Sequence, residues 1–328
     1  MIPLLSPEAA HGPTAIALGS FDGLHEGHRR VIASVTRRAS ELGLVPTVVS
    51  FWPHPREVLF GEARLRLDLP AEKLSLLQPL GIEQLVLVPF TRELAQLSPE
   101  DFVRKVLVQQ LQAQVVAVGE NFRFGSGRSG DIHTLKQLGA EHGIEVLVQP
   151  LLSDQQEQLS SSRIRRALAA GELGQAAELL GRPYRFGGTV VSGRGLGRQL
   201  GWPTANLQVD GRKFLPLEGV YAAWAWLDGQ AMPAVMNLGP QPTVDPTAPS
   251  AVEVHLLGRR LDLVGAEVLV EPVALLRRQQ RFESVDALVE QIGRDALQAE
   301  RLLASAAGVG VGQAPADEGG DGPQQQNP

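Results

Sequence analysis

An α/β domain followed by an antiparallel β domain with a terminal helix is the fold class this sequence predicts. Three observations carry that expectation. In the first half, short apolar runs alternate with helical patterns, as in a parallel sheet covered on both faces. After about residue 183 glycine becomes frequent and the apolar residues alternate one by one, the period of half-buried strands. The last patterned stretch is helical. A length of 328 residues also favours two domains over one.

Residues 15–18, 45–50, 85–88, 115–118 and 145–148 read as buried strands. Between the first two, residues 27–42 carry a helical pattern that Gly43 stops. Between the third and fourth, Ser98 is a good N-cap, Pro99 suits the first helical position, and Glu100 and Asp101 suit the positive helix end. Phe102, Val103, Val106, Leu107 and Leu111 then form one apolar stripe. In the second half Val220, Ala222, Trp224 and Trp226 would share one face of a strand. Asp228-Gly229 reads as a tight hairpin turn into residues 232–237. Residues 252–257 and 267–271 read as further strands, and 284–303 as a helix with Leu288, Val289, Ile292 and Leu303 on its apolar side. Antiparallel strands with one terminal helix point to a small barrel or a sandwich. From about Ala306 the chain has too few large apolar side chains to offset ordering, so a disordered tail is expected over 306–328. The two halves follow different periodicities, and no internal repeat relates them.

Composition narrows the function classes. Hydrophobic residues make up 43% and charged residues 20%, the profile of a soluble globular protein. The net charge of −6 argues against nucleic acid as a partner, since that needs a basic surface. The sequence has no cysteine, which removes disulfides, thiolate catalysis and cysteine-based zinc sites together. The N-terminus lacks a basic stretch and a long apolar run, so it does not read as a signal peptide. No stretch is apolar for long enough to span a bilayer. The expected compartment is therefore the cytosol, without a membrane partner.

Chemistry concentrates first in residues 19–28, which directly follow the first strand and open the first helix. Ligands of open α/β sheets bind at such junctions. Gly19, Phe21, Asp22 and their neighbours form a glycine-rich turn that lets backbone approach phosphates, and the helix start offers free N–H groups. His25 and His28 are three apart and can project to one side, where two imidazoles can hydrogen-bond phosphates. A plain glycine turn with two exposed histidines is the bland alternative. Ser160, Ser161 and Ser162 open a second helical stretch. Their hydroxyls could hold a phosphate and Arg165 could bind it in bidentate fashion, although serines also make ordinary N-caps.

In the second half, glycines from Gly193 to Gly197, with Arg198 beside them, could wrap phosphates through backbone N–H groups. Pro203, Thr204 and Asn206 follow. The last two are two apart, so on an extended segment a hydroxyl and an amide oxygen face one way, hard ligands suited to magnesium. Glu253 is an acid among apolar strand neighbours and could take a proton from a substrate hydroxyl; an ordinary solvent-facing strand residue would look the same.

Together these segments resemble the bifunctional riboflavin kinase/FMN adenylyltransferase (FAD synthetase) family over roughly residues 14–303. The first segment matches the His-x-Gly-His motif of the nucleotidyltransferase superfamily. Residues 159–165 match its Ile-Ser-Ser-Thr-x-x-Arg motif, with Ser162 in place of threonine. Phe51, Pro53, His54 and Pro55 look like the family's Phe-x-Pro-His-Pro segment, and residues 119–131, with Asn121 and Arg123, like its flavin-side loop. The second half carries Pro-Thr-Ala-Asn intact at 203–206. Gly219-Val220-Tyr221 looks like the family's strand start, residues 237–243 like its Asn-x-Gly-x-x-Pro-Thr turn beginning at Asn237, and Glu253-Val254-His255 like its base-bearing strand. Gln241 and Val264 depart from the pattern, standing where arginine and tyrosine are common.

The resemblance implies a Rossmann-like nucleotidyltransferase domain at 1–182, a six-stranded antiparallel barrel with a C-terminal helix at 183–305, and the tail. It implies two ATP-dependent transfers, with riboflavin, FMN and ATP as small-molecule substrates and FMN and FAD as products. In the C-terminal half Thr204 and Asn206 would hold magnesium–phosphate, and Glu253 would activate the ribityl hydroxyl of riboflavin. In the N-terminal half His28, His25 and Arg165 would offset charge during adenylyl transfer. Three alternatives are weighed against this: another adenylyltransferase, against which the Pro-Thr-Ala-Asn half argues; an aminoacyl-tRNA synthetase, against which the acidic balance argues; and a non-catalytic flavin-binding module, against which the full set of polar groups argues.

Overall fold

The computed structural model describes residues 2–154, 157–193, 195–239 and 252–307. Two sheets organise it. The first contains β1 (Leu4–Leu5), β2 (Thr14–Leu18), β3 (Val45–Trp52), β4 (Gln84–Pro89), β5 (Ala113–Gly119) and β6 (Glu145–Gln149). They run parallel in the order β1-β4-β3-β2-β5-β6. The five runs expected as strands are β2 to β6. Alternate strand residues feed two cores. Ile16, Val86 and Val116 face one side of the sheet, and Ala15, Leu85 and Val115 the other. Every residue of β2 is buried, which is why such strands read as unbroken apolar runs.

The connecting helices are α1 (Glu26–Leu42), α2 (Pro55–Phe60), α3 (Pro70–Leu77), α4 (Arg92–Ala95), α5 (Pro99–Phe102), α6 (Ile132–Glu141), α7 (Ser161–Ala170) and α8 (Leu173–Leu180). α1 ends at Gly43, which takes φ 66° and closes the helix. Ser98 caps α5 by accepting the Asp101 N–H at 3.1 Å. The helix then widens into a π-helical stretch, Val103–Gln110, and the whole expected stripe from Phe102 to Leu111 is buried. From β2 the chain winds outward to β3 and β4 and later returns to the opposite side with β5 and β6. This reversal opens a crevice above the carboxyl ends of β2 and β5.

The second sheet is a closed barrel of β7 (Phe186–Val191), β8 (Ala205–Gln208), β9 (Gly219–Leu227), β10 (Gln230–Leu238), β11 (Val252–Leu256) and β12 (Glu267–Arg277). Its order is β10-β11-β8-β7-β12-β9, with every pair antiparallel. Of the two expected architectures, the barrel is the one present. Asp228 and Gly229 make the two-residue turn between β9 and β10 with φ 48° and 75°. β12 runs past the expected end at 271 to Arg277. Pro272 pairs with Ala223 at the edge of a register shift, the kind of irregular position a strand proline takes.

Tyr221, Ala223 and Ala225 fill the barrel interior. The opposite face of β9, with Ala222 and Trp224, packs beneath α10 (Val285–Ala307) through Ala296, Ala299 and Leu303. A short helix, α9 (Leu196–Gln199), lies in the loop between β7 and β8. α10 continues to Ala307, so Ala306, at the start of the expected tail, is helical; residues 308–328 lie outside the described residues. So do residues 240–251, including Gln241. The barrel core is continuous with Ile164, Ala167 and Leu168 of α7 and Ala176 and Leu180 of α8. Among the described residues no helix is long and apolar enough to cross a membrane.

Candidate active sites

β2 hands over to α1 through a tight turn. Phe21 and Leu24 take φ 45° and 42°, and Gly23 takes 91°. Left-handed backbone at two large side chains persists only where the surroundings over-determine it. Asp22 supplies that restraint. Its Oδ1 accepts the N–H groups of Leu67 at 2.9 Å and Asp68 at 3.2 Å, and its other oxygen takes the Arg165 guanidinium. Asp68 accepts the Gly23 N–H at 3.0 Å. Ser161 Oγ, from the start of α7, donates to the Asp22 carbonyl at 2.7 Å.

Held this way, the turn presents two imidazoles. His25 and His28 stack with ring centroids 3.7 Å apart, and Phe21 stands edge-on to His28. The Nδ1 atoms of both histidines are buried without a hydrogen-bond partner. Burial pulls His25 down to about 4, helped by the Arg29 charge and opposed by Asp22. Burial, then the charges of His25 and Lys73, hold His28 well below its ordinary value. Near neutral pH both rings are therefore uncharged, with buried polar atoms that an anion could satisfy.

A cleft of about 440 Å³ opens at this point. Gly19, Phe21, His25 and His28 line it with Ser160, Ser161 and Ser162 from the start of α7. Phe51, His54 and Pro55 reach it from the end of β3, and Asn121 and Arg123 from the end of β5. His54 caps α2, its Nδ1 accepting the Arg56 N–H at 3.1 Å. Burial, then the charges of Arg64 and Arg66, push it down to about 3. Arg64, Arg123 and Arg128 line the cleft and no carboxylate does, so it favours a polyanion.

Three expected residues stand elsewhere. Pro53 is exposed on the turn before α2. Asp22, 3% exposed, and Arg165 lie behind the turn, paired with each other. Arg165 also donates to the Leu65 carbonyl at 3.2 Å. In the structure Arg165 thus grips the turn that borders the cleft. The reason is energetic: stripping a buried carboxylate of its partner costs about 3–5 kcal/mol.

The barrel carries the second constellation. Asn237, Glu253 and Asn206 stand opposite one another in register across β10, β11 and β8. Their chain neighbours Met236, Val254 and Leu207 are buried in the barrel core, so these three point outward. α10 roofs them, leaving a cavity of about 680 Å³ that Leu288, Ile292 and Asp295 also line. Asp295 ties the roof to β12 through Arg277 at 2.9 Å, and Gln291, one turn earlier on α10, donates to it at 2.8 Å. A second cavity of about 660 Å³ lies on the other side of the glycine loop, with Arg198, Pro203, Arg259, Arg260 and the departing residue Val264 in its wall.

The two cavities share Gly193, Gly195, Thr204 and Asn206 as a common wall, and Gly197 joins the first. The glycines are needed for closeness. A Cβ at Gly193 would come within 2.6 Å of Asn206 Cγ, and one at Gly197 would strike the Trp202 carbonyl. His255 donates from Nδ1 to the Pro203 carbonyl at 2.8 Å, fixing the segment that bears Thr204. Among the described residues no cluster of three or more acidic or histidine side chains could hold a metal unaided. The hydroxyl of Thr204 and the amide of Asn206 are hard oxygen donors, which fit a magnesium ion that takes its other ligands from phosphate and water.

Arg64, Arg259 and Arg260 had no pattern to mark them, since they sit on irregular loops. Asp295 did carry a signal: it is an acid on the apolar side of a helix, between Ile292 and Ala296.

Comparison with known proteins places these sites in context. The family model described as FAD synthetase matches residues 7–163, and that described as riboflavin kinase matches 180–303. A bifunctional riboflavin kinase/FMN adenylyltransferase of Pseudomonas fluorescens is 39% identical over 304 residues, covering 92% of this chain and 96% of the relative. Those of Escherichia coli K12 and Bacillus subtilis are 37% and 34% identical, each covering more than four-fifths of both chains. A structure from Streptococcus pneumoniae, named a macrolide-efflux protein, superposes with a TM-score of 0.79 at 29% identity over 91% of this chain and 98% of its own.

Proposed function

The chain belongs to the bifunctional riboflavin kinase/FMN adenylyltransferase family, and we propose that its clefts divide the two reactions between them. It is a transferase that makes FMN from riboflavin and FAD from FMN, with ATP consumed at each step. The division of labour rests on the wall that the two barrel cavities share. A phosphoryl group passing from an occupant of one cavity to an occupant of the other has to cross at Thr204 and Asn206.

On this reading, residues 183–305 phosphorylate riboflavin. The flavin lies under α10 with its ribityl hydroxyl at Glu253, and the ATP phosphates lie against Arg198 and the glycine loop. Glu253 takes the hydroxyl proton, the oxygen attacks the γ-phosphorus, and ADP leaves. Magnesium bound at Thr204 and Asn206 would neutralise phosphate charge when present. Residues 1–182 adenylylate FMN. The FMN phosphate is already an anion, so it attacks the α-phosphorus of ATP without a base, and pyrophosphate leaves. His25 and His28, together with the N-terminus of α7, hold phosphate oxygens. Arg123 and Asn121 face the flavin side. Asp22 and Arg165 keep the turn in shape.

The cytosol, where ATP is supplied, is the proposed compartment. The acidic balance favours small substrates over nucleic acid. Incubation with riboflavin, ATP and magnesium, followed by chromatography, tests the reading. FMN should appear first and FAD after it. FMN without FAD would remove the N-terminal assignment, and neither product would remove both.

A further inference from the structure

We infer that Lys213, which belongs to the kinase half, is a positioning residue for adenylyl transfer in the other half. The inference rests on the proposed role of the turn at residues 19–25. That turn is strained at Phe21 and Leu24, and its shape comes from Asp22 and Gly23 hydrogen-bonding to Leu67 and Asp68. Residues 66–68 are therefore a template. They lie in irregular backbone between α2 and α3, outside any strand of the parallel sheet. Arg182 pairs with Asp68 at 2.8 Å and Glu57 with Arg66 at 3.2 Å, and the barrel supplies the remaining hold, on the backbone of Arg66 and Leu67.

Arg66 and Lys213 form a parallel bridge. The Arg66 N–H donates to the Arg212 carbonyl, and the Phe214 N–H donates to the Arg66 carbonyl, each at 2.7 Å. Lys213 is fully buried. Its ammonium donates to the Leu67 carbonyl at 2.6 Å and to Glu72 of α3 at 2.7 Å, and lies 4.9 Å from the centre of the Tyr184 ring. Leu67 is thus gripped on both sides. Its carbonyl is held by the kinase half, and its N–H holds the carboxylate that shapes the phosphate turn. A buried ammonium kept for surface attachment alone would be a costly choice, since an apolar side chain of similar volume packs as well or better. What the charge adds is direction: it locates one carbonyl, hence one peptide plane, hence Asp22.

Lys213→Met in the full chain tests this. FMN adenylylation should lose about ten- to a hundredfold in kcat, the scale of a small displacement of a catalytic constellation, with the KM for FMN and ATP changed less than about twofold. Riboflavin phosphorylation by the same preparation should stay within about twofold, which also reports that the barrel holding Lys213 is folded. Normal adenylylation, or a rise in KM with kcat intact, would overturn the inference. If both activities collapse together, Glu72→Gln decides. It removes the charge partner from outside the barrel and should depress adenylylation kcat alone; no effect there overturns the inference as well. Asp22→Ala separates this idea from the one beneath it. If Asp22→Ala leaves FAD formation intact, the reading of the turn fails. If it abolishes FAD formation while Lys213→Met does not, only the link to the kinase half fails.

Discussion

Replacing Gly193 with alanine puts a single methyl group where two cavities meet. The added Cβ would lie 2.6 Å from Asn206 Cγ, about 1 Å inside the ordinary carbon–carbon contact distance. The backbone of β8 cannot retreat, because Asn206 is paired in register with Val191 on one side and Glu253 on the other. The amide of Asn206 must turn away instead. Overpacking of this kind costs about 1–3 kcal/mol. If that cost falls on the geometry that receives the transferred phosphate, turnover drops about five- to a hundredfold at one decade per roughly 1.4 kcal/mol. The assay is initial-rate formation of FMN from riboflavin at saturating ATP and magnesium. FAD formation from supplied FMN is followed on the same variant and should be unchanged. Riboflavin phosphorylation at the wild-type rate would refute the argument that Asn206 must hold this position. Equal loss of both activities would refute the claim that Gly193 acts locally.

Two other predictions test the separation of the sites and the state of the histidines. Glu253→Gln should lower riboflavin phosphorylation by about 10²–10⁴-fold, the usual worth of a general base, and spare FMN adenylylation; His28→Ala should do the reverse, and chromatography of each half-reaction reads both. His25 is held near 4 against an ordinary 6.5, so the unfolded chain binds a proton that the folded chain refuses. The stability tied to that difference is present above about 6.5 and is lost as the pH falls toward 4, so the midpoint of thermal unfolding should fall over that range. His25→Asn should flatten the fall; an equally steep fall in the variant would contradict the assignment.

Much of the fold was legible because strong periodicities point one way. The five buried runs became β2 to β6, and Gly43, Ser98 and Asp228-Gly229 sit where their backbone chemistry required. The choice between barrel and sandwich was not legible from the residues, because closure depends on which edges pair, and alternation along a strand says nothing about its neighbours. β12 runs beyond the 267–271 read from the sequence, because its pairing with β9 resumes after a register shift and continues to Arg277. That most of the singled-out residues would share cavities was legible from their types and their places at strand ends. Their partition was not. Asp22 and Arg165 read by type as phosphate-binding; the structure pairs them with each other outside the cleft lining, and nothing in their spacing announces that pairing. The role of α10 as a cavity roof was hidden for a similar reason: Leu288 and Ile292 show an apolar side, and an apolar side reads the same whether it packs on a core or lines a cavity.

The apolar interior that starts under α7 and ends inside the barrel has a consequence for how such a chain can change over time. A cut between residues 182 and 183 would leave Ile164, Leu168 and Leu180 facing water on one fragment and the open end of the barrel on the other. Deleting a segment is therefore a poor route to a descendant with only one of the two activities. Point substitution within a single cleft is the open route, since it silences one reaction and leaves the common interior whole. Lineages that have lost one step should then still carry the silent half, at nearly full length, as a scaffold for the half that works.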